Sequence, residues 1–217
     1  MSQPAFATVL LDVDSTVSGI EGIDWLAARR GDAVAGEVAA LTDRAMRGEI
    51  ALEDVYGARL ALVRPDSAGI EALASEYIAH LAPGCADAIA QMSSAEIDVK
   101  LVSGGLRQAI SPVAHHLGLS GADLFAVDVT LDAKGGYASF DASSPLTTAS
   151  GKQTVAESMS LRRPAVAVGD ASTDLAMRPA VDCFVCFTGF RYRDAIVRRA
   201  DAVIATFDEL LRMVLGT

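Results

Sequence analysis

Short apolar runs alternate with helix-like amphipathic segments along most of this chain. The predicted strands cover residues 7–11, 97–102, 125–131, 165–168, 183–187 and 202–204. The predicted helices cover residues 84–95, 105–118, 151–160, 173–180, 190–199 and 207–215. This alternation is typical of an α/β fold with a doubly wound, mostly parallel sheet. The sequence Lys134-Gly135-Gly136-Tyr137 also predicts a hairpin turn beside that sheet.

Residues 17–82 interrupt the alternation, because they contain helical patterns and no good strand. Apolar residues recur at helical spacing from Val34 to Ala45, with Gly48 as a stop, and again from Ile70 to Leu81. We therefore predict an all-helical segment, residues 17–82, inserted into an α/β unit formed by residues 1–16 and 83–217.

Two acids end the first predicted strand. Asp12 and Asp14 follow the apolar run that ends at Leu11, and side chains two apart on a strand point to the same side. Ligands of open parallel sheets bind at the carboxyl ends of the strands. Two adjacent carboxylates repel each other unless a cation neutralises them, so the pair predicts a divalent metal ion. An ordinary acidic turn is the alternative interpretation.

A second acidic cluster lies far downstream and favours the chemical interpretation. Asp170 ends another apolar strand, and Asp174 follows four residues later. Ser103 and Gly104 end a third strand, and Lys152 opens a predicted helix. Each position is at or near the carboxyl end of a strand, or at the start of the helix before one. We expect these groups to meet at one edge of the sheet.

The ordered motifs resemble those of the haloacid dehalogenase-like hydrolases and, within them, the phosphoserine phosphatase family. The motifs are Asp12 to Thr16, Ser103-Gly104-Gly105, Lys152, and Gly169-Asp170 to Asp174. The resemblance implies a Rossmann-like hydrolase core with residues 17–82 as a helical cap over the crevice. Ala171 stands where many relatives have glycine, and Thr173 stands where some have asparagine. Neither departure removes a charged group.

The resemblance implies hydrolysis of a phosphomonoester through an aspartyl-phosphate. Asp12 would be the nucleophile, and Asp14 would act first as general acid and then as general base. Ser103, the Gly104 amide and Lys152 would bind the phosphoryl oxygens.

The same resemblance implies a metal site made of oxygen ligands. Asp12, Asp170 and the main-chain carbonyl of Asp14 would hold the ion, with Asp174 supporting that shell. Ligation by oxygen alone favours Mg²⁺ over zinc or copper.

One arginine interrupts an apolar helix face in the predicted cap. Arg59 lies in the middle of the stripe formed along Leu52 to Val63. It could snorkel from the edge of a packing surface, or its guanidinium could bind a carboxylate in the cleft. In the resembled family a matching arginine holds the carboxylate of the substrate, and a glutamate, matched by Glu21, holds its amine. With Thr173 as a further substrate residue, these positions imply a small phosphorylated zwitterion such as phosphoserine, and hence L-serine biosynthesis.

Three other functions are alternatives to this one. A phosphatase or phosphotransferase for another small phosphorylated metabolite would use the same motifs and stays open. A dehalogenase has no alkoxide leaving group to protonate and so has no need of Asp14. A non-enzymatic phospho-accepting receiver module would be shorter, would carry its acceptor on a middle strand, and would have no helical insert.

Composition narrows the choice of partners and location. The chain has 217 residues and a net charge of −10, which disfavours nucleic-acid binding. No apolar stretch is long enough for a membrane helix, so we expect no membrane partner and a cytoplasmic location. Three cysteines form no disulfide framework, and Cys183 and Cys186 are expected in the core. The sequence leaves the oligomeric state open.

Overall fold

The computed structural model describes residues 4–46 and 49–217. Its strands are β1 (Thr8–Leu11), β2 (Asp98–Leu106), β3 (Leu124–Val127), β4 (Val129–Leu131), β5 (Tyr137–Phe140), β6 (Ala165–Gly169), β7 (Cys183–Phe187) and β8 (Ala202–Ile204). Its helices are α1 (Gly22–Arg29), α2 (Asp32–Met46), α3 (Leu52–Val63), α4 (Ser67–Ala79), α5 (Cys85–Ser94), α6 (Arg107–His116), α7 (Gly151–Ser158), α8 (Ser172–Leu175), α9 (Asp194–Val197) and α10 (Phe207–Leu215). None of the helices described is long and apolar enough to cross a membrane.

Six strands form one parallel sheet in the order β3-β2-β1-β6-β7-β8. All residues of β1 and β6 are buried, as expected for central parallel strands covered on both faces. The predicted α/β fold with a mostly parallel, Rossmann-like sheet is confirmed. Because β1 lies between β2 and β6, the loops that follow these three strands meet at one edge of the sheet.

Two predicted elements are divided or shortened in the structure. The strand predicted over 125–131 becomes β3 in the main sheet and β4, which pairs with β5 in the expected hairpin. The side-chain amide of Gln108 donates a hydrogen bond to the Val129 carbonyl and accepts one from the Val129 N–H. These two bonds fix the start of the hairpin on α6. The helix predicted over 173–180 is shortened to α8, which ends at Leu175. A 3-10 turn containing Pro179 follows, because proline has no N–H to continue the helical hydrogen bonds.

The helix predicted over 190–199 is mostly wrong, since only α9 is helical. Residues 188–193 form a loop, and Arg193 at its end has an extended backbone with φ −119° and ψ 99°. The side chain of Arg193 reaches back to Asp170. This ion pair fixes the end of the loop at the carboxyl edge of the sheet.

The segment between β1 and α5 is helical, as expected. Helix α1 contacts α2, α3 and α4, and α4 packs against α6 of the α/β unit. The stop assigned to Gly48 lies outside the described residues. The division into residues 17–82 and the two flanking segments stays a prediction.

The final helix supplies a test of local stability. The Thr206 hydroxyl accepts a hydrogen bond from the Glu209 N–H at 3.2 Å, and the Glu209 carboxylate accepts one from the Thr206 N–H at 3.1 Å. We expect Thr206→Ala to lower the free energy of unfolding by about 1 kcal/mol, because the helix loses its N-cap. Urea denaturation measures this change. Thr206→Ser should keep most of the stability, and equal stability of all three proteins would contradict the capping role.

Candidate active site

Three carboxylates meet at the carboxyl edge of the sheet. Asp12 follows β1, Asp170 follows β6, and Asp174 lies on α8. All three residues are buried, and each offers an oxygen within 4.8 Å of the others' oxygens. The two acidic motifs, far apart in sequence, are therefore brought together as expected.

Lys152 lies between two of these acids. Its ammonium group donates to Oδ1 of Asp12 and, at 2.5 Å, to Oδ1 of Asp174. The second oxygen of Asp174 accepts the Ala171 N–H at 2.9 Å. Although burial opposes the charge of Lys152, the two carboxylates outweigh it and raise the lysine pKa above its usual range. The lysine therefore remains an ammonium ion.

The pKa values of Asp12 and Asp170 are raised. Burial, followed by repulsion from Asp174, raises the pKa of Asp12 well above its usual value despite the opposing effect of Lys152. The same two causes raise the pKa of Asp170 to about 6, although the ion pair with Arg193 acts to lower it. A cation beside these groups would remove much of this repulsion.

Charge balance in the cleft fits a divalent metal ion. The four acids of the two motifs face two basic groups, Lys152 and Arg193. When all four acids are ionised, these six groups carry a net charge of −2. Carboxylate oxygens suit hard cations such as Mg²⁺ and Ca²⁺. The residues that could hold the ion are Asp12, Asp170 and Asp174.

Asp14 is held apart from this triad. Its Oδ1 accepts the Gly22 N–H at 2.8 Å and the Tyr77 hydroxyl at 2.6 Å. Burial, with repulsion from Glu21, raises its pKa to about 6. A carboxyl group with this pKa can both donate and accept a proton near neutral pH.

The predicted phosphate-binding residues reach the same edge. Gly104 and Lys152 line the cleft. Ser103 is fully buried beneath it, and its hydroxyl accepts the Gly105 N–H at 2.9 Å. The Gly104 carbonyl is held by the Tyr56 hydroxyl at 2.8 Å.

The cleft has a volume of about 220 Å³ and is lined by residues of both the α/β unit and the helical segment. The predicted site residues that line it are Asp12, Asp14, Glu21, Arg59, Gly104, Lys152, Asp170 and Thr173. Its walls therefore carry both the acidic motifs and the predicted substrate residues. Asp174 and Ser103 contact residues that line the cleft, since Asp174 binds Lys152 and the Ser103 hydroxyl accepts the Gly105 N–H.

Arg59 lies at the cleft and not at a solvent-exposed edge of its helix. Its side chain is 19% exposed, and Nη2 forms an ion pair with Asp24 at 2.5 Å. The Nε atom is buried and has no hydrogen-bond partner among the described residues. A buried guanidinium N–H without an acceptor is costly, and a bound anion would supply one.

Glu21 has two neighbours that orient its carboxylate. Its Oε1 accepts the Ser15 hydroxyl at 2.7 Å and lies 3.4 Å from Nε of Arg191. The side chain is 28% exposed. It remains accessible from the cleft that it lines.

The sequence interpretation missed the basic loop 188–193 and two tyrosines of the helical segment. Arg193 binds Asp170 at 2.9 Å, and Arg191 pairs with Glu21. Their spacing of two would have placed them on one side of an extended chain, but the predicted helix hid that signal. Tyr56 and Tyr77 fall within the apolar faces of the predicted helices, where the pattern indicates packing alone.

Comparisons with known proteins agree with this architecture. The haloacid dehalogenase-like hydrolase family matches residues 9–178. The chain is 35% identical over 208 residues to chloroplastic phosphoserine phosphatase of Arabidopsis thaliana, covering 94% of this chain and 70% of that one. It is 34% identical over 206 residues to phosphoserine phosphatase of Bos taurus, covering 94% and 91%.

A solved structure of a phospho-aspartyl intermediate analogue of phosphoserine phosphatase has the same fold. It superposes with a TM-score of 0.75 at 23% identity, covering 96% of this chain and 98% of that one. The fold and the four motifs define a haloacid dehalogenase-like hydrolase. Within that class, the chain belongs to the phosphoserine phosphatase family.

Metal binding can be tested without measuring activity. We expect Mg²⁺ to raise the Tm of the native protein after chelator treatment, because an ion that binds only the folded state stabilises it. An ion at a hundred times its Kd would add about 2.7 kcal/mol. Asp170→Asn should largely abolish the Mg²⁺-dependent rise, whereas Asp208→Asn, at an exposed helix position, should keep it. A rise of equal size in both variants would contradict the assigned site.

Proposed function

We propose that the protein hydrolyses phosphoserine to serine and phosphate through an aspartyl-phosphate on Asp12. Its family and its curated relatives make it a phosphomonoesterase. The observation that carries the proposal is one cleft in which Asp12, bound by Lys152, faces the same cavity as Asp14 and Arg59. Nucleophile, proton donor and carboxylate-binding group are then within reach of one small substrate.

The first chemical step forms the covalent intermediate. Lys152 donates to Oδ1 of Asp12, which leaves Oδ2 to attack phosphorus. The phosphorus–oxygen ester bond breaks, and its electron pair goes to the serine oxygen. Asp14 gives that oxygen its proton, so serine leaves as a neutral alcohol.

The second step releases phosphate. Water attacks the phosphorus of the aspartyl-phosphate, and the Asp14 carboxylate takes the proton from this water. The bond between phosphorus and Asp12 breaks, which restores the carboxylate. A pKa of about 6 for Asp14 suits both roles, because neither protonation state is rare near neutral pH.

Negative charge on the phosphoryl group needs fixed donors. Lys152 supplies an ammonium group that stays charged, and the Gly104 amide and the Ser103 hydroxyl are the proposed partners of the other oxygens. The Ser103 hydroxyl already accepts the Gly105 N–H, so its own proton is free to be donated. Such preorganised donors stabilise a transition state strongly in an enclosed site.

The proposed metal ion is Mg²⁺, held by Asp12, Asp170 and the main-chain carbonyl of Asp14, with Asp174 supporting the shell. When bound, Mg²⁺ neutralises charge on the phosphoryl oxygens and the acids around it. The oxygen-only donor set and the net negative charge of the acidic motifs with Lys152 and Arg193 support this choice.

Three residues would recognise the amino-acid part of the substrate. Arg59 would bind the carboxylate through the side that includes its unpartnered Nε. Glu21 would bind the ammonium group, and Thr173 lines the cleft nearby. A phosphotransferase would use the same groups with a second alcohol in place of water. The cytoplasmic location expected from the sequence stays a prediction.

Asp14→Asn should separate substrates by their leaving groups. We expect kcat/KM for phosphoserine to fall by about a hundredfold or more, because an alkoxide must be protonated. Nitrophenyl phosphate should lose much less, since nitrophenolate leaves without a proton. Steady-state kinetics on both esters measure the difference. An equal loss on the two would rule out Asp14 as the acid of the first step.

Arg59→Ala tests the identity of the substrate. A lost charge-assisted hydrogen bond in a closed site costs about 1.5–3 kcal/mol. The value of kcat/KM for phosphoserine should therefore fall about ten- to a hundredfold, with much less change for a phosphate ester that lacks a carboxylate. Arg59→Lys should not rescue fully, because an ammonium cannot form the planar fork.

Arg29→Ala is the control for this variant, because Arg29 is an exposed helical arginine that stacks on Trp25 outside the cleft. It should leave both substrates nearly unchanged. If Arg59→Ala instead lowers activity on both esters alike, and Tm falls with it, the arginine serves packing. The protein would then be a phosphatase of another small metabolite, which a panel of phosphomonoesters assayed with Mg²⁺ would identify.

A further inference from the structure

A tyrosine hydroxyl of the helical segment touches the proposed proton donor of the α/β unit. Tyr77 lies on α4, and its side chain is fully buried. Its hydroxyl donates to Oδ1 of Asp14 at 2.6 Å. This contact joins two residues that lie 63 positions apart in the chain.

The same carboxylate oxygen receives a second donor from the helical segment. The Gly22 N–H, at the start of α1, binds Oδ1 of Asp14 at 2.8 Å. A Cβ at position 22 would overlap the Tyr77 hydroxyl, so the close approach of the tyrosine requires glycine there. With two donors, both lone pairs of Oδ1 are occupied.

The other carboxylate oxygen of Asp14, Oδ2, is left available for proton transfer. Oδ2 lies 3.2 Å from the place that a Cβ on Gly105 would take, and Gly105 lines the cleft. Since Oδ1 already accepts two hydrogen bonds, an exchangeable proton on Asp14 resides on Oδ2. Burial, followed by the nearby Asp14 charge, raises the pKa of Tyr77 well above its usual value, so the tyrosine keeps its own proton.

We infer that Tyr77 is a positioning residue that holds Asp14 with Oδ2 directed at the leaving oxygen. The inference rests on the proposed function, in which Oδ2 gives its proton to the alcohol oxygen as the ester bond to phosphorus breaks. Two of the groups that orient the acid, Tyr77 and Gly22, come from the helical segment. Productive proton transfer therefore requires α1 and α4 to be packed against the α/β unit.

Tyr56 provides a matched control. Its hydroxyl also crosses from the helical segment to the sheet, where it donates to the Gly104 carbonyl at 2.8 Å. Its ring packs on Phe140 with centroids 5.4 Å apart. The Tyr56 hydroxyl joins the same two parts of the molecule, but its hydrogen bond goes to Gly104 and leaves the orientation of Asp14 unchanged.

The test is a series of substituted phenyl phosphates, from nitrophenyl to methylphenyl, assayed with Mg²⁺. The measured quantity is the slope of log kcat/KM against the pKa of the leaving phenol. For Tyr77→Phe we expect about a tenfold loss with the poorest leaving group and less than about a twofold loss with nitrophenyl phosphate, hence a steeper slope. Tyr56→Phe should lower all esters alike and keep the native slope.

A second variant covers the case in which Tyr77→Phe does not fold. Gly22→Ala displaces the tyrosine hydroxyl while retaining both the ring and the Gly22 N–H, and it should steepen the slope in the same direction. A native slope in every folded variant at positions 22 and 77 would overturn the inference.

The same experiment distinguishes a wrong substrate assignment from a wrong role for Tyr77. Phenyl phosphates carry neither a carboxylate nor an amine, so the slope can be measured whether or not phosphoserine is hydrolysed. Native protein that hydrolyses the series and ignores phosphoserine would overturn only the proposed substrate. Native protein with no phosphatase activity on any ester would overturn both proposals.

Discussion

The ammonium group of Lys152 allows several acids to be buried at one edge of the sheet. It binds Asp12 and Asp174 at once, and all three side chains are almost inaccessible to water. Breaking a buried ion pair by removing one partner typically costs about 3–5 kcal/mol. The lysine is fixed because Gly151, the first residue of α7, lies against the Pro145 carbonyl with no room for a side chain. The position of α7 therefore determines where the ammonium group meets Asp12 and Asp174.

Asp14 has a different environment from Asp12, and this difference suits the different roles that are proposed for the two acids. Asp12 is bound by a lysine of the α/β unit, whereas Asp14 is bound by Gly22 and Tyr77 of the helical segment. The two carboxylates that follow β1 are therefore held by different parts of the molecule. Movement of the helices would disturb Asp14, the proposed proton donor, and leave Asp12, the proposed nucleophile, in place.

The sequence predicted most of the sheet and the convergence of the acids, because buried parallel strands are continuous apolar runs and their carboxyl ends share an edge. It did not predict the loop that carries Arg191 and Arg193, since its residues also fit a helical pattern. The hydroxyl of Tyr77 was hidden for a related reason. An aromatic residue at a core position of an amphipathic helix indicates packing, and only the fold shows which acceptor its hydroxyl meets. The contact between Arg193 and Asp170 is likewise visible only in the fold, since it joins residues that follow two different strands.

The stereochemical course at phosphorus tests the covalent role of Asp12 most directly. A thiophosphate ester made chiral with oxygen isotopes is hydrolysed in water that carries a third oxygen isotope, and the configuration of the product thiophosphate is determined. Each in-line displacement inverts phosphorus, so transfer to Asp12 followed by attack of water on the aspartyl-phosphate gives net retention. We predict retention. Net inversion would mean that water attacks the ester in a single step, and it would contradict an aspartyl-phosphate intermediate.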